Sequence, residues 1–320
     1  MMMQPLRAAV KGFCNMLTRR AFLRSSAAVG AASVGLAGYG SAVELWRHEV
    51  TRYRPQLPNW PEGQRLRIAV LADIHACEPW MSAERIAEIV AHTNALTPDI
   101  ILLLGDYAGT HLLVRRTLPP KEWAREFGRL RAPLGVHAIL GNNDWLHDSA
   151  AQANPGGRNS LQRVMEDENI AVYQNEAARF VMHGQAFWLA GLGSLTAFRI
   201  PSRNGGWDFR GVDDMPATLK DVTPGEPVLL MMHEPDSFPK VPAHVALSVC
   251  GHTHGGQVAV AGFSPFVPSQ YGQRYAYGHI VEDNRHLIVS AGLGCGVVPM
   301  RFGVPPEVVL IDLGTEDRSV

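Results

Sequence analysis

Hydrophobic residues in this chain occur in short runs, and polar residues cluster at the end of each run. Five such runs cover residues 66–75, 99–106, 135–144, 227–236 and 246–254. Each run is rich in Leu, Ile and Val, a composition that is typical of strands buried on both faces. We therefore predict a strand in each run, with the polar residues at its carboxyl end.

The segments between these runs show helical periodicity. Ser82 predicts a helix N-cap, and Ile86, Ile89 and Val90 form one apolar stripe before Pro98 stops the pattern. The same periodicity occurs in two further segments, residues 121–132 and 159–168. The alternation of strand and helix predicts an α/β sheet that is packed on both faces.

Later runs have strand character without long helices between them. These runs are residues 185–193, 285–294 and 307–313. They predict a second, more antiparallel sheet. Residues 194–216 are the longest stretch without periodicity and predict a loop, in which Asp214 caps the following helix. With no internal repeat or low-complexity tract visible, one domain over residues 66–314 is the simplest organisation.

The first 43 residues differ from the rest in charge and composition. Residues 1–42 hold five Lys or Arg and no acid, and after the pair Arg19 and Arg20 an uncharged run covers residues 25–43. This pattern predicts a twin-arginine signal, and hence the export machinery as a partner and a periplasmic or envelope location. A transmembrane helix is the alternative, although it needs about 20 strongly apolar residues. Cleavage of the signal and its retention as a membrane anchor both stay open.

Composition and charge indicate the class of protein and exclude one class of partner. Residues 44–65 predict an extended lead-in and residues 315–320 a short tail, while the 46% hydrophobic content predicts a globular protein with a sizeable core. Beyond residue 42 there are 24 basic against 30 acidic residues, which gives no sign of a nucleic-acid-binding surface. Cys77, Cys250 and Cys295 follow no disulfide or metal spacing and predict buried thiols.

Each of the first five predicted strands is followed by side chains that can bind metal ions. The set is Asp73, His75, Asp106, Asn142, His233, His252 and His254. Singly, an Asp or Asn there could satisfy a turn, and a lone His could be a hydrogen-bonded core residue. As a set, these donors would be costly to bury without cations, and carboxyl ends of strands line the functional crevice of an α/β sheet. Ligands without cysteine suit Mn, Fe, Zn or Mg, with Asp106 as the natural bridge between two ions.

The ligand residues fall into five short motifs. They read D-x-H at 73–75, G-D at 105–106, G-N-x-D at 141–144, the isolated His233 and G-H-T-H at 251–254. In order and spacing they resemble the calcineurin-like metallophosphoesterases. GGQ at 255–257 and the Gly-rich stretch 292–311 resemble the exported bacterial phosphodiesterase branch of that family. The resemblance implies a four-layer αββα sandwich of two mixed sheets, with a dinuclear metal site at the strand carboxyl ends.

The resemblance also implies a role for each motif residue. One ion would bind Asp73, His75, Asp106 and His254, and the other Asp106, Asn142, His233 and His252. Asp144 would orient neighbouring groups. The implied reaction is hydrolysis of a phosphodiester or pyrophosphate by hydroxide that two divalent ions generate. The implied substrates include lipid-linked ones of the UDP-diacylglucosamine type.

Asn143 departs from the family pattern. The family usually has a His at this position as the proton donor, whereas an amide delivers no proton. We therefore expect a preference for good leaving groups or a donor from elsewhere, with His147 as the nearest candidate and a loop histidine as the alternative. A metal-binding pseudoenzyme and a structural envelope protein with a metal staple stay open. Arg301 is a candidate for binding substrate phosphate, with a surface arginine as the alternative.

Overall fold

The fold is described from a computed structural model of the chain. The described residues are 38–109, 112–155, 157–182 and 184–314, with the single positions 24, 26, 35 and 36. The paired arginines, most of the predicted signal and the predicted tail lie outside the described residues. Within the described part of the chain, no helix has the length and apolar character needed to cross a membrane.

Strands and helices alternate at first, and strands dominate later. The helices whose bounds both lie in the described part of the chain are α1 (Ala83–Ala95), α2 (Pro120–Phe127), α3 (Asn142–Leu146), α4 (Ser149–Ala153), α5 (Ser160–Glu166) and α6 (Met215–Leu219). The first strands are β1 (Glu49–Tyr53), β2 (Leu66–Leu71), β3 (Cys77–Glu78), β4 (Ile100–Leu103), β5 (Arg116–Thr117), β6 (Val136–Ala138), β7 (Ala171–Val172) and β8 (Glu176–Met182). The remaining strands are β9 (Gln185–Gly191), β10 (Phe198–Pro201), β11 (Trp207–Arg210), β12 (Val228–Met231), β13 (Val245–Cys250), β14 (Gly278–Glu282), β15 (Arg285–Val289) and β16 (Glu307–Leu313).

Two mixed sheets of six strands form the centre of the protein. The first has the order β1-β16-β2-β4-β6-β7, and the second has the order β14-β15-β13-β12-β9-β8. In the first sheet β2, β4, β6 and β7 run parallel, and β16 is antiparallel to β2. In the second sheet β15, β13, β12 and β9 run parallel, and the edge strands β14 and β8 are antiparallel. This architecture confirms the predicted fold class.

Alternation of side chains along the strands produces the layers. In β2, Ile68 and Val70 point into a core between the two sheets, where they meet Val249 of the second sheet. Leu71 faces the opposite way and belongs to the core that α1 and α2 cover, which includes Trp123. On its outer face the second sheet is covered by α6. Because both faces of each sheet are covered, the central strands are apolar at almost every position.

The sheet membership of three strands differs from our expectation. We expected residues 307–313 in the second sheet, but β16 lies in the first sheet, between β1 and β2. We also placed the ligand-bearing β12 and β13 with β2, β4 and β6, whereas they belong to the second sheet. All residues of β12, β13 and β16 are buried. A strand that is apolar on both faces fits either sheet, so its sequence pattern does not specify the partner.

The segments outside the predicted strands also contribute to the sheets. Part of the predicted lead-in forms β1, which pairs in parallel with β16. The predicted loop 194–216 contains the hairpin β10–β11, whose residues are exposed apart from Phe198 and therefore show no apolar periodicity. Asp214 caps α6 as predicted, and the thiols of Cys77, Cys250 and Cys295 are buried as predicted.

Candidate metal centre

Strand ends from both sheets meet at one edge of the sandwich. The ligand residues predicted from the first sheet follow β2, β4 and β6, and those from the second follow β12 and β13. His233 Nδ1 lies 2.6 Å from the carbonyl oxygen of Leu104. That carbonyl can only accept, so Nδ1 carries the proton and leaves Nε2 free as a ligand. The backbone N–H of His252 donates to the carboxylate of Asp73 at 3.0 Å, which joins the sheets a second time.

Asp73, His75 and His254 form a first group of atoms that could hold a metal ion. His254 Nε2 lies 3.1 Å from His75 Nε2 and 3.7 Å from Asp73 Oδ1. Nitrogen ligands about 2.1 Å from one ion are roughly 3.0–3.4 Å apart at bond angles of about 90–110°. The facing ring nitrogens therefore have a spacing that fits a divalent ion between them.

Asp106, His233 and His252 form a second such group. His233 Nε2 lies 3.4 Å from Asp106 Oδ2 and 3.1 Å from Asn142 Oδ1, so Asn142 adjoins this group. These distances match the ligand spacing of the first group. The structure thus brings together all seven residues that the sequence predicted as ligands, in two clusters suited to divalent metals.

Asp106 lies between the two groups. Its Oδ2 is 3.8 Å from His75 Nε2 on one side and 3.4 Å from His233 Nε2 on the other. A carboxylate in such a position can bind two ions at once. Burial by itself would raise the pKa of Asp106, but His233, His75 and His252 lower this pKa below its usual range. The carboxylate therefore stays ionised.

The pKa shifts of Asp73 and His254 both favour the neutral form of the side chain. Burial raises the pKa of Asp73 to about 7, although His233 opposes this rise. Burial, together with the positive charges of His75 and Arg301, lowers the pKa of His254 well below its ordinary value. The neutral imidazole is the form that binds metal ions, so burial prepares His254 as a ligand.

The backbone is strained at five of the predicted ligands. Left-handed φ angles occur at Asp73 (53°), His75 (49°), Asp106 (57°), His252 (70°) and His254 (53°). Such conformations cost on the order of 1–3 kcal/mol each and cluster at functional sites. Glycines provide the space that these turns need: a Cβ at Gly251 would overlap the carboxylate of Asp73, and one at Gly141 would overlap that of Asp106.

Asp144 fixes the backbone around the bridging carboxylate. The buried Asp144 side chain accepts hydrogen bonds from the backbone N–H groups of Asp106 at 2.7 Å, Gly141 at 2.8 Å and Tyr107 at 2.9 Å. These bonds connect the turn after β4 to the turn that carries Asn142. Asp144 thus occupies the orienting position that the sequence predicted.

Two residues are candidates for contact with the leaving group of the substrate, and their environments differ. They are Asn143 and His147. Asn143 lines the cavity described below, and its Nδ2 donates to Asp106 Oδ2 at 2.6 Å. His147 lies at the C-terminal end of α3 with an exposed side chain, where Nδ1 is 2.9 Å from the carbonyl oxygen of Asn143. It is not among the residues that line the cavity.

A cavity of about 670 Å³ borders both metal-binding groups. Its polar end is lined by His75, Asp106, Asn143, His252 and His254. Its other end is lined by Val258, Pro265, Phe266, Pro268, Val297 and Val298. Such a cavity can hold a phosphoryl group at the metal end and an apolar group at the other.

Arg301 does not reach this cavity, contrary to both sequence-based interpretations of it. Its side chain is fully buried and donates to the carbonyl oxygens of Gly294 at 3.1 Å, Gly292 at 3.3 Å and His254 at 3.3 Å. Arg301 therefore holds the Gly-rich segment against a ligand residue. The sequence analysis included Gln257 in the GGQ motif but gave it no role in the site. In the structure Gln257 lines the cavity and donates to the carbonyl of Val298.

Fold and site together define a metal-dependent hydrolase of the αββα type. The chain belongs to the family Calcineurin-like phosphoesterase, which matches residues 66–257. It is therefore a hydrolase that acts on ester bonds, in a family that uses divalent metals.

The chain is similar to bacterial proteins over most of its length. It is 27% identical to the metallophosphoesterase YkuE of Bacillus subtilis, over 93% of this chain and 98% of YkuE. Identity to the phosphodiesterase YaeI of Escherichia coli is also 27%, over 93% of this chain and 100% of YaeI. A metallophosphoesterase of Aquifex aeolicus is 25% identical, over 87% of this chain and 96% of that protein.

Proposed function

We propose that this protein is a two-metal phosphodiesterase that cleaves a phosphodiester or pyrophosphate bond in a lipid-linked substrate. The observation that carries the proposal is the position of Asp106 Oδ2 between two metal-binding groups, at the polar end of a largely apolar cavity. The similarity to a protein named phosphodiesterase supports the reaction type. The apolar lining supports a substrate with a hydrocarbon part.

The proposed chemistry places different demands on the two ends of the cavity. When bound, two divalent ions supply a water molecule of lowered pKa and neutralise the charge of the phosphoryl oxygens. The chain holds the ligands rigidly: Asp144 fixes the backbone of Asp106, and the Leu104 carbonyl directs His233 Nε2 toward the site. At the other end, Phe266 and Val298 exclude water from the apolar part of the substrate.

Asn143 sets the proposed leaving-group preference. Its amide lines the cavity and can donate a hydrogen bond to the leaving oxygen, but it cannot donate a proton. Since a general acid contributes roughly 10²–10⁴-fold, its absence favours leaving groups that need no protonation, such as a nucleotide phosphate. The position of His147 outside the cavity lining supports this assignment over a donor role for His147.

Metal content and turnover measured on the same preparation test the proposal. We expect two divalent ions per chain, hydrolysis of bis(p-nitrophenyl) phosphate, and higher kcat/KM for a nucleotide-lipid pyrophosphate. Asp106→Asn should reduce both the metal content and turnover, while Asp208→Asn on the exposed hairpin serves as the matched control. A chain that is full of metal and hydrolyses none of these esters would be the pseudoenzyme instead.

Asn143→His tests the leaving-group assignment. We expect kcat/KM to rise about 10²-fold or more for esters with poor, alkoxide-like leaving groups, and little for p-nitrophenyl esters. If the slow substrates gain no more than the fast ones, the missing proton donor does not set the preference.

We further propose export of the chain through the twin-arginine route. Arg19 and Arg20, followed by the uncharged run 25–43, support this proposal. Replacing both arginines by lysine should prevent delivery to the envelope fraction, whereas Arg7→Lys serves as the control substitution. Unchanged delivery of the twin-lysine variant would contradict the proposed route.

A further inference from the structure

Exposed apolar side chains lie in the segments that line the cavity and in the segment that is hydrogen-bonded to them. We call this surface the apolar rim; it consists of Leu112, Leu113, Val260, Phe263, Phe266 and Val297. Leu113 is 74% exposed, Phe266 65% and Phe263 61%. Phe266 and Val297 also line the cavity, so the apolar surface continues from the interior of the cavity to its exterior.

The segments that form most of the rim carry no charged side chains. Residues 255–273 and 286–300 contain no Asp, Glu, Lys or Arg, in a chain with 18% charged residues. Backbone contacts hold the pieces together, since the N–H of Leu112 donates to the carbonyl of Val297 at 3.1 Å. A contiguous exposed apolar surface marks an interaction site.

Two tryptophans connect the rim to the N-terminal segment. Trp80 Nε1 donates to the carbonyl of Leu113 at 3.2 Å, and the Trp80 ring lies 6.1 Å from the Trp46 ring. Trp46 Nε1 donates to the carbonyl of Ser41 at 3.1 Å, and Ser41 belongs to the uncharged run 25–43. Tryptophan, with an apolar ring and a polar N–H, is enriched at membrane–water interfaces.

A second set of contacts places the same segment beside the cavity. The Tyr39 ring packs edge-on against Phe302, with ring centroids 6.4 Å apart. Phe302 pairs with Val258, which lines the cavity. The described end of the uncharged run, residues 38–43, therefore contacts the part of the folded domain that carries the apolar rim.

We propose that the apolar rim inserts into the headgroup region of a lipid bilayer, so that the cavity opens onto the membrane surface. The end of the uncharged run on this face and the tryptophans at its margin favour a bilayer as the occupant. A second copy docked on the rim would instead cover the mouth of the cavity. Exposed Arg47 directly follows Trp46, and exposed Arg115 is two residues after Leu113; their positive charges favour anionic headgroups.

The proposal concerns membrane binding and does not depend on turnover, so a binding assay tests it. The assay uses the full chain and vesicles of phosphatidylethanolamine and phosphatidylglycerol. An environment-sensitive fluorophore is attached at Phe266→Cys, and for comparison at Phe209→Cys on the β10–β11 hairpin, where Phe209 is 51% exposed. Cys14→Ser in both proteins prevents labelling at Cys14, and Cys77, Cys250 and Cys295 are buried. We expect a blue shift on vesicle addition at position 266 and none at position 209.

Vesicle flotation of double variants provides the second measurement. Phe263→Ser with Phe266→Ser should weaken vesicle binding about tenfold or more, because membrane affinity scales with buried apolar area. Trp207→Ser with Phe209→Ser removes similar exposed aromatic rings from the hairpin and should leave vesicle binding unchanged. Circular dichroism and metal content verify that both double variants fold.

Three results would overturn the proposal. One is a protein that floats with vesicles without a shift at position 266, because the N-terminal segment would then bind alone. Another is an equal shift at positions 266 and 209, which indicates general adsorption. The last is a dimer in solution that Phe263→Ser with Phe266→Ser converts to a monomer, since the rim would then be an interface between copies.

Discussion

Substitution of Asp144 by Asn should weaken metal binding without changing any predicted ligand. The Asp144 carboxylate accepts three backbone N–H groups, from Asp106, Gly141 and Tyr107. Asparagine has one acceptor oxygen in place of two. If that oxygen keeps the bonds from Asp106 and Gly141, the new amide NH₂ faces the buried N–H of Tyr107.

The energetic cost follows from these contacts. An unpaired buried N–H costs about 1–3 kcal/mol, and two bonds that lose their charge assistance cost roughly 1 kcal/mol each. Burial and the negative charge of Asp106 raise the pKa of Asp144 to about 7, so loss of the buried charge offsets part of this cost. We expect the free energy of unfolding to fall by about 2 kcal/mol, a substantial part of the roughly 5–15 kcal/mol of a folded domain.

Metal affinity should fall about 10–100-fold in Asp144→Asn, because the turns that carry Asp106 and Asn142 both lose their anchor. Urea unfolding and titration with Mn²⁺ measure the two effects. Asp148→Asn is the matched control, since Asp148 accepts backbone N–H groups from Ala150, Ala151 and Ser160 and bonds none of the predicted metal ligands. The control should lose stability but keep its metal affinity. Equal affinities in the two variants would refute the orienting role.

Three further outcomes follow from the structure. Gly251→Ala should lower Mn²⁺ affinity at least tenfold, because the new Cβ would overlap the Asp73 carboxylate. Gly38→Ala is the control, since a Cβ at Gly38 meets no other atom. Retained affinity in Gly251→Ala would contradict the close packing of Gly251 against Asp73. Chelation should lower Tm, since ions at 100 times Kd contribute about 2.7 kcal/mol to the folded state; an unchanged Tm would show that the clusters bind no ion. Burial lowers the pKa of His137 below its usual 6.5. Just below pH 6.5 the imidazole therefore takes up a proton in the unfolded chain but not in the folded one. As a result, the free energy of unfolding falls as the pH falls below 6.5. His137→Gln should therefore flatten the slope of Tm against pH between about 6.5 and 5, and an unchanged slope would assign the pH dependence to other groups.

The polar side chains at the strand ends could be predicted from the sequence because strand geometry is local. A buried strand reads as a run of apolar residues, and a polar residue directly after it must lie at the strand end. Five such ends with Asp, Asn and His side chains indicated metal chemistry before any distance was known. The cap of α1 by Ser82 and the buried thiols are equally local properties, and these two predictions are confirmed.

The pairing of strands was decided by the tertiary structure. Each sheet is covered on both faces, so the apolar residues of β16 would be buried in either sheet. Pairing with neighbouring strands therefore determines the sheet to which β16 belongs. The buried position of Arg301 likewise depends on carbonyl oxygens that the fold directs at it. The arrangement of the seven predicted ligands in two groups around Asp106 depends on bringing the ends of β2, β4 and β6 against those of β12 and β13. A one-dimensional pattern records which side chains leave a strand end, whereas the distance between two such ends depends on how the sheets pack.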